Sequence, residues 1–262
     1  MSKYAIVCVL LCASFGVAAA GTPPPFLGAS YPLPTSPASD EGALGATFNP
    51  AAWGFAQKPG ADFWWNDRSV NSGKLDNWGI AVGQRAGFSA RRNDFLGPSG
   101  PANVTDFQVG FGAAKGGSMG GIAYGWSGGD TKLLDRDNYL SFGTIQRPSP
   151  RLSLGFDFRR VLGTGDKDFL WSAALSPMGD DRLVVFGDYA LTNKQVWNEG
   201  GLQGGIAIHP KPSFEGAFRM REGGEFQVSI GIASPHATVR AANDYQDGDR
   251  QRTDYLVRIK PK

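Results

Sequence analysis

Cysteine occurs only at positions 8 and 12, and histidine only at 209 and 236. Both cysteines fall inside an apolar N-terminal stretch. A chain from which that stretch is removed holds no thiol, no disulfide and no Cys-based metal site. The two histidines are isolated, each beside a proline at the end of an apolar/polar segment, and leave no His pair for a transition metal. Charge of one sign is lacking as well: 26 Lys and Arg stand against 24 Asp and Glu. Loss of Lys3 would leave 25 against 24, so no global pull towards nucleic acid follows. After Gly21 no apolar run is long enough for a transmembrane helix, so entry into a bilayer would require a closed barrel.

The N-terminus reads as a secretory signal. Lys3 supplies the charged start, Ala5 to Phe15 the apolar stretch, and Ala18-Ala19-Ala20 a small-residue cleavage site before Gly21. A retained anchor would need a longer span. Lipoprotein processing at Cys12 would need small residues where Val9, Leu10 and Leu11 stand.

What the chain does have is alternation. Leu152-Ser-Leu-Gly-Phe-Asp-Phe-Arg-Arg160 puts an apolar residue at every second position, the period of a β-strand with two unlike faces. The beat returns in Phe107/Val109/Phe111, Ile122/Tyr124/Trp126, Phe169/Trp171, Ile206/Ile208 and Phe226/Val228/Ile230/Ile232. The opposite faces carry Gly, Ser, Gln and full charges: Asp157, Arg159, Glu215, Arg219, Arg221, Arg240 and Arg258. An oily outside around a charged inside inverts a soluble sandwich and suits a barrel in lipid. Trp78, Trp126, Trp171 and Tyr189, near strand ends, are expected to divide into two interfacial belts. The 37 glycines fit a crowded inner wall.

The organisation follows: signal 1–20, an extended Pro-rich leader 21–43, a short plug-like segment 44–60, and barrel 61–262. From Ala61 onward thirteen strand candidates can be marked, one of them spanning 78–89; an even number is usual, so 12 or 14 is expected. Tight hairpins are expected at Arg147–Pro150, Pro177–Asp181, Pro210–Pro212, Glu222–Gly224 and Ser234-Pro235, with longer loops at 90–104, 128–137, 192–201 and 243–252. Asn49 as N-cap and Pro50 at the first helical position predict one short helix from 49 to about 57. It is too short to be stable alone. Trp53 and Phe55 need an apolar wall, and the barrel lumen is the nearest, so 44–56 are expected to sit inside it.

Catalytic and metal chemistry is sparse. Gly116-Gly-Ser-Met-Gly120 spells a nucleophile elbow, but lies between two strand patterns, where Gly-Gly-Ser is hairpin chemistry. Acidic loops at Asp135–Asn138 and Asp244–Asp249 lack the spacing of a calcium loop. The expectation is no catalytic residue, no metal and no cofactor. The set Glu215, Arg219, Arg221, Arg240 and Arg258 would line one sector of the lumen, either as a paired network filling a narrow barrel or as a path for a polar solute.

Asn49-Pro50-Ala51-Ala52 ahead of a run of barrel strands resembles the "NPA" segment of the FadL-like outer-membrane superfamily, which includes long-chain fatty-acid transporters and PorV-type shuttle barrels. The stretch 139–260 also resembles the PorV-like barrel preceding a signal-peptide-peptidase-A-type domain in some bacterial fusion proteins. The carrying segments are Ser149–Arg159, Gly204–Pro210 and Tyr255–Ile259. The resemblance implies a lumenal plug formed by Asn49, Pro50, Ala51, Trp53 and Phe55. It also implies either passage of small hydrophobic molecules or a platform for other envelope proteins. The chain departs from it by ending Arg258-Ile-Lys-Pro-Lys262 rather than on an aromatic residue.

The sequence therefore predicts an all-β fold: a single antiparallel transmembrane barrel of 12–14 strands with a short lumenal plug, non-enzymatic, in a bacterial outer membrane. Its partners would be outer-membrane lipid and small hydrophobic ligands or envelope proteins, not nucleic acid. Two rival classes remain: the barrel module of a longer envelope protein whose activity lies beyond Lys262, and a lipid-modifying enzyme needing a Ser and His in contact at the rim.

Overall fold

The computed structural model describes residues 33–55, 58–68, 75–98, 100–134 and 136–259. The signal, the leader as far as residue 32, Asp135 and the Lys260-Pro-Lys ending lie outside them. The first seven strands are β1 (Gly60–Asn66), β2 (Trp78–Gly83), β3 (Ala86–Gly97), β4 (Gly100–Lys115), β5 (Ser118–Gly129), β6 (Tyr139–Ser149) and β7 (Leu152–Val161). The remainder are β8 (Lys167–Leu175), β9 (Leu183–Thr192), β10 (Gly201–Lys211), β11 (Phe214–Arg221), β12 (Phe226–Ala233), β13 (Ala237–Gln246) and β14 (Asp249–Ile259). Each pairs antiparallel with its sequence neighbours, and β1 closes on β14 with Asp62 opposite Arg258. The sheet is thus a closed barrel of fourteen strands with no free edge.

Register fixes the facing, because residues opposite one another across a ladder point to the same side. Phe107 lies opposite Trp126, Phe142 opposite Phe158, Phe156 opposite Trp171 and Phe218 opposite Val228. These sides face outward: Ile230 is 57% and Ile232 69% exposed, whereas inward Asp157 and Asp188 are 0% and 1% exposed. Apolar-out, charged-in is the arrangement of a barrel solvated by lipid.

Thirteen candidate strands become fourteen because 78–89 is a hairpin. The chain turns at Gln84-Arg85, and β3 then runs on to Gly97 through what the sequence reads as a loop at 90–104. The expected loop at 243–252 is likewise β13 and β14 joined by a two-residue turn. Asp247 and Gly248 both take positive φ there (52° and 87°), the signature of a type I′ hairpin. Connections on the rim holding the chain ends are mostly short, for example 116–117, 150–151 and 212–213, with 176–182 the exception. On the opposite rim 67–77, 130–138 and 193–200 are long.

The expected two belts are one. Trp65, Trp78, Trp126, Trp171, Tyr189, Trp197 and Tyr245 all lie in the half of the wall towards the long-loop rim, whereas Phe214, Ile208, Ile232 and Ile259 face outward at the other. Trp171, Tyr189 and Trp197 form a mutually packed set there, and Tyr189 donates its hydroxyl hydrogen to the Trp197 carbonyl.

Candidate functional site

Residues 33–55 lie inside the closed wall. Two short 3-10 turns, Gly45–Thr47 and Pro50–Gly54, are all the helix they contain. Asn49 caps the second: its side-chain oxygen accepts from Ala51 N (3.0 Å), and Pro50 follows at the first helical position. The same carboxamide reaches the wall, where Nδ2 donates to the carbonyls of Thr144 and Phe156 (3.2 Å each) on β6 and β7. A side chain that stops the helix on one side and hooks two strands on the other fixes the segment's depth.

Glycines receive the segment on one half of the inner wall. Gly112, Gly121 and Gly143 are consecutive cross-strand neighbours on β4, β5 and β6. A Cβ at Gly121 would strike the Pro50 carbonyl, one at Gly112 would lie 2.6 Å from Gly54 N, and one at Gly143 would overlap the Asn49 amide. Trp53 lies against Gly83, Gly87 and Gly110 in the same way and is 2% exposed. Any side chain larger than hydrogen at these positions would hold the plug off the wall. Ala38 meets Gly155 similarly on β7.

The other half holds the segment through charges. Arg258, on β14, forks between two carboxylates. It donates to Asp40 of the plug (2.8 and 3.0 Å) and to Asp62 of β1 (2.8 and 3.1 Å). Asp62 in turn accepts from Leu44 N at 2.7 Å, so the plug is clamped to the seam where the barrel closes. Ser36 Oγ donates to Asp188 on β9 (2.5 Å) and Arg219 to the Thr35 carbonyl (2.9 Å), while on the glycine half Ser153 Oγ of β7 donates to the Ala38 carbonyl (2.5 Å). At the chain-end rim Arg147 bridges Glu41 (2.7 Å) and covers the Phe55 ring, 3.6 Å from its centroid. Charge-assisted bonds among buried groups are directional and strong.

Between these halves lies an apolar cluster. Leu33, Leu44, Phe48 and Trp53 of the segment pack with Trp64, Met119, Ile145, Leu170 and Leu256 of the wall. These five wall residues point inward, so the lumen carries an oily girdle that the segment covers.

The inward set read from the sequence therefore separates into groups. Arg219 and Arg258 touch the plug. Glu215 and Arg240 pair with each other at 2.6 Å, and His209 joins Glu215 at 3.3 Å. Asp157 accepts from Ser141 Oγ (2.6 Å), Arg159 stacks over Tyr139, and Arg221 reaches towards Glu225 and Asp244 (3.5 and 3.9 Å). Residues 33–43, placed in an extended leader by their prolines, are instead mostly buried plug, and Ser36 and Asp40 are among its anchors. Asp62 and Asp188 were also missed, although parity with outward Phe63 and Tyr189 would have turned both inward. Ser118 of the elbow-like motif begins β5 and hydrogen-bonds Gln146 across the ladder (2.6 Å). Asp244 is taken by Arg252 and by Gln227 (2.8 Å).

No family model matches the chain, and no curated protein matches its sequence. Among solved structures it is similar to the Acinetobacter baumannii outer membrane protein Omp33. That match has a TM-score of 0.50 at 6% identity and covers 79% of this chain and 100% of that one. A triple mutant of the Rhodopseudomonas blastica porin follows at 0.45 and 10% identity, over 77% of this chain and 97% of that one. At such identity the likeness to Omp33 is one of fold alone.

Proposed function

We propose that this chain is a non-enzymatic barrel of the bacterial outer membrane, of FadL type, that passes small hydrophobic molecules when residues 33–55 shift within its lumen. The chain-end rim with its short turns would face the periplasm and the long loops the exterior. The observation that carries this reading is the inward girdle of Trp64, Met119, Ile145, Leu170 and Leu256 beneath the segment. A lumen for ions or sugars has no use for such a surface, whereas a displaced plug would bare it to an oily solute. The seat supports the same reading, since the glycine floor itself offers no side chains for the segment to interlock with, and many of the remaining ties are polar bonds that water can replace.

Deletion of residues 33–55 tests this. In reconstituted vesicles the deletion variant should admit a hydrophobic fluorescent probe several-fold faster than the full chain, while heat-modifiability on gels shows the barrel still closed. Unchanged permeability from a folded barrel would leave the PorV-type platform role as the better account.

A further inference from the structure

A cleft of about 370 Å³ opens on the outer face of the wall near the long-loop rim, between residues 75–78 and the β3–β4 hairpin where it outruns β2. Its size is that of a small-ligand site. Trp78 forms one side. Trp65, Trp126, Trp171 and Trp197 each pack on a neighbouring ring, but no described ring packs on Trp78. Facing it, Arg92 and Asp94 form a two-pronged pair (2.7 and 3.3 Å). Asp94 is held from behind, its N–H donating to Asn77 Oδ1 at 3.2 Å. Asn103 is likewise fixed by its backbone, which exchanges bonds with Asp130 (2.9 and 2.8 Å), and its side-chain amide takes no described partner. Asp76 closes the floor, 3% exposed.

We propose that this cleft binds a saccharide, with one sugar face on the Trp78 indole and its hydroxyls on Asp94, Arg92 and Asn103. The chemistry selects this class. Among the described lining residues the Asp94 carboxylate already occupies the Arg92 guanidinium, which disfavours a bare phosphate, and the open polar rim disfavours an acyl chain. Acceptors and donors converging beside an indole on which no described ring packs match neighbouring hydroxyls on a ring with an apolar side. Because Arg92 and Asp94 already hold each other, little ordering cost opposes binding at that pair. If the barrel is embedded as proposed above, the cleft lies at the headgroup level of the outer leaflet, where the sugars could belong to a glycolipid or to a free oligosaccharide.

Calorimetry on the full chain in a sugar-free detergent distinguishes these, with rough lipopolysaccharide and its delipidated core oligosaccharide as probes. Saturable binding of both is expected if the sugar suffices. Binding of lipopolysaccharide alone, dependent on Trp78, would assign the source to the membrane. Trp78→Ala should weaken binding about tenfold, near 1.4 kcal/mol, and Trp78→Phe should restore most of it. Asn103→Ala, which leaves the wall intact, should weaken it several-fold. The proposal is overturned if neither probe saturates, or if a heat-modifiable Trp78→Ala or Asn103→Ala protein binds as tightly as the parent. No outcome depends on whether the lumen transports anything.

Discussion

The two halves of the inner wall meet the same segment by opposite means. From β2 to β7 the wall retreats: Gly83, Gly87, Gly110, Gly112, Gly121 and Gly143 leave bare backbone, and the plug lies directly on it. From β9 round to β1 the wall advances with Asp188, Arg219, Arg258 and Asp62, and each makes a directional bond to the plug. The first half chiefly determines where the segment can lie, and the buried charges of the second add most to how firmly it stays. A plug built this way can be positioned accurately without being welded in place.

The largest effect is expected from the charged half. Arg258→Met leaves Asp40 and Asp62 buried without their cation, and breaking a buried pair from one side costs about 3–5 kcal/mol. The variant should show a lowered unfolding midpoint, because Arg258 also spans the closing seam. Asp40→Asn, which spares the seam, should chiefly expose residues 33–55 to protease. If both variants melt and resist protease like the parent, the clamp contributes nothing. The facing on which the comparison depends is tested next door to the glycine half. Phe156→Arg puts a charge into lipid at a cost of about 2–4 kcal/mol, whereas Asp157→Ala removes an inward carboxylate that has one bonded and one unbonded oxygen. Equal folding yields in vesicles would mean the faces have been misassigned.

Gly121→Val adds bulk where Pro50 already sits, and overpacking of this kind costs about 1–3 kcal/mol. It should displace the plug and raise protease cleavage in 33–55 without opening the barrel. A closed, protease-resistant plug in that variant would show that the glycine floor is not needed for seating. The most local effect belongs to Asn49→Ala, which removes the cap and the two wall hooks, about 2–4 kcal/mol together. Hydrogen exchange of the Ala51 and Ala52 amides should quicken while the strands keep their protection.

Where lipid covers one face and the lumen holds the other, the sequence was legible. Phe156 beside Asp157 and Phe218 beside Arg219 cannot be read any other way. Where strands rise beyond the lipid that contrast ends. Arg91-Arg92-Asn93-Asp94 and Asp244–Asp249 are polar on both faces and look like loops, although the Asp247-Gly248 turn signal was there to be used. The turn at Gln84-Arg85 carries no Pro or Asn-Gly, and the apolar beat of Trp78, Ile80 and Val82 resumes in the same phase at Ala86 and Phe88, so two strands read as one. The plug was visible only from about residue 44 onward, because the Asn49 cap followed by Pro50 has a local signature. Ser36 and Asp40 have none: their partners, Asp188 and Arg258, lie 152 and 218 residues away. Glycine abundance suggested a crowded lumen, but only the register shows that Gly112, Gly121 and Gly143 form one floor.

A reversible lock between plug and wall tests the central claim most directly. A Cβ at Gly155 would lie 3.1 Å from that of Ala38, slightly inside disulfide spacing, so a small shift would allow Ala38→Cys and Gly155→Cys to pair. In a chain with Cys8 and Cys12 replaced by Ala, influx of a hydrophobic probe into reconstituted vesicles would be measured oxidised and then reduced. The account predicts that the oxidised lock stops influx and that reductant restores it to the parent rate. Equal influx in both states, with the disulfide verified by mass, would show that nothing passes by moving residues 33–55.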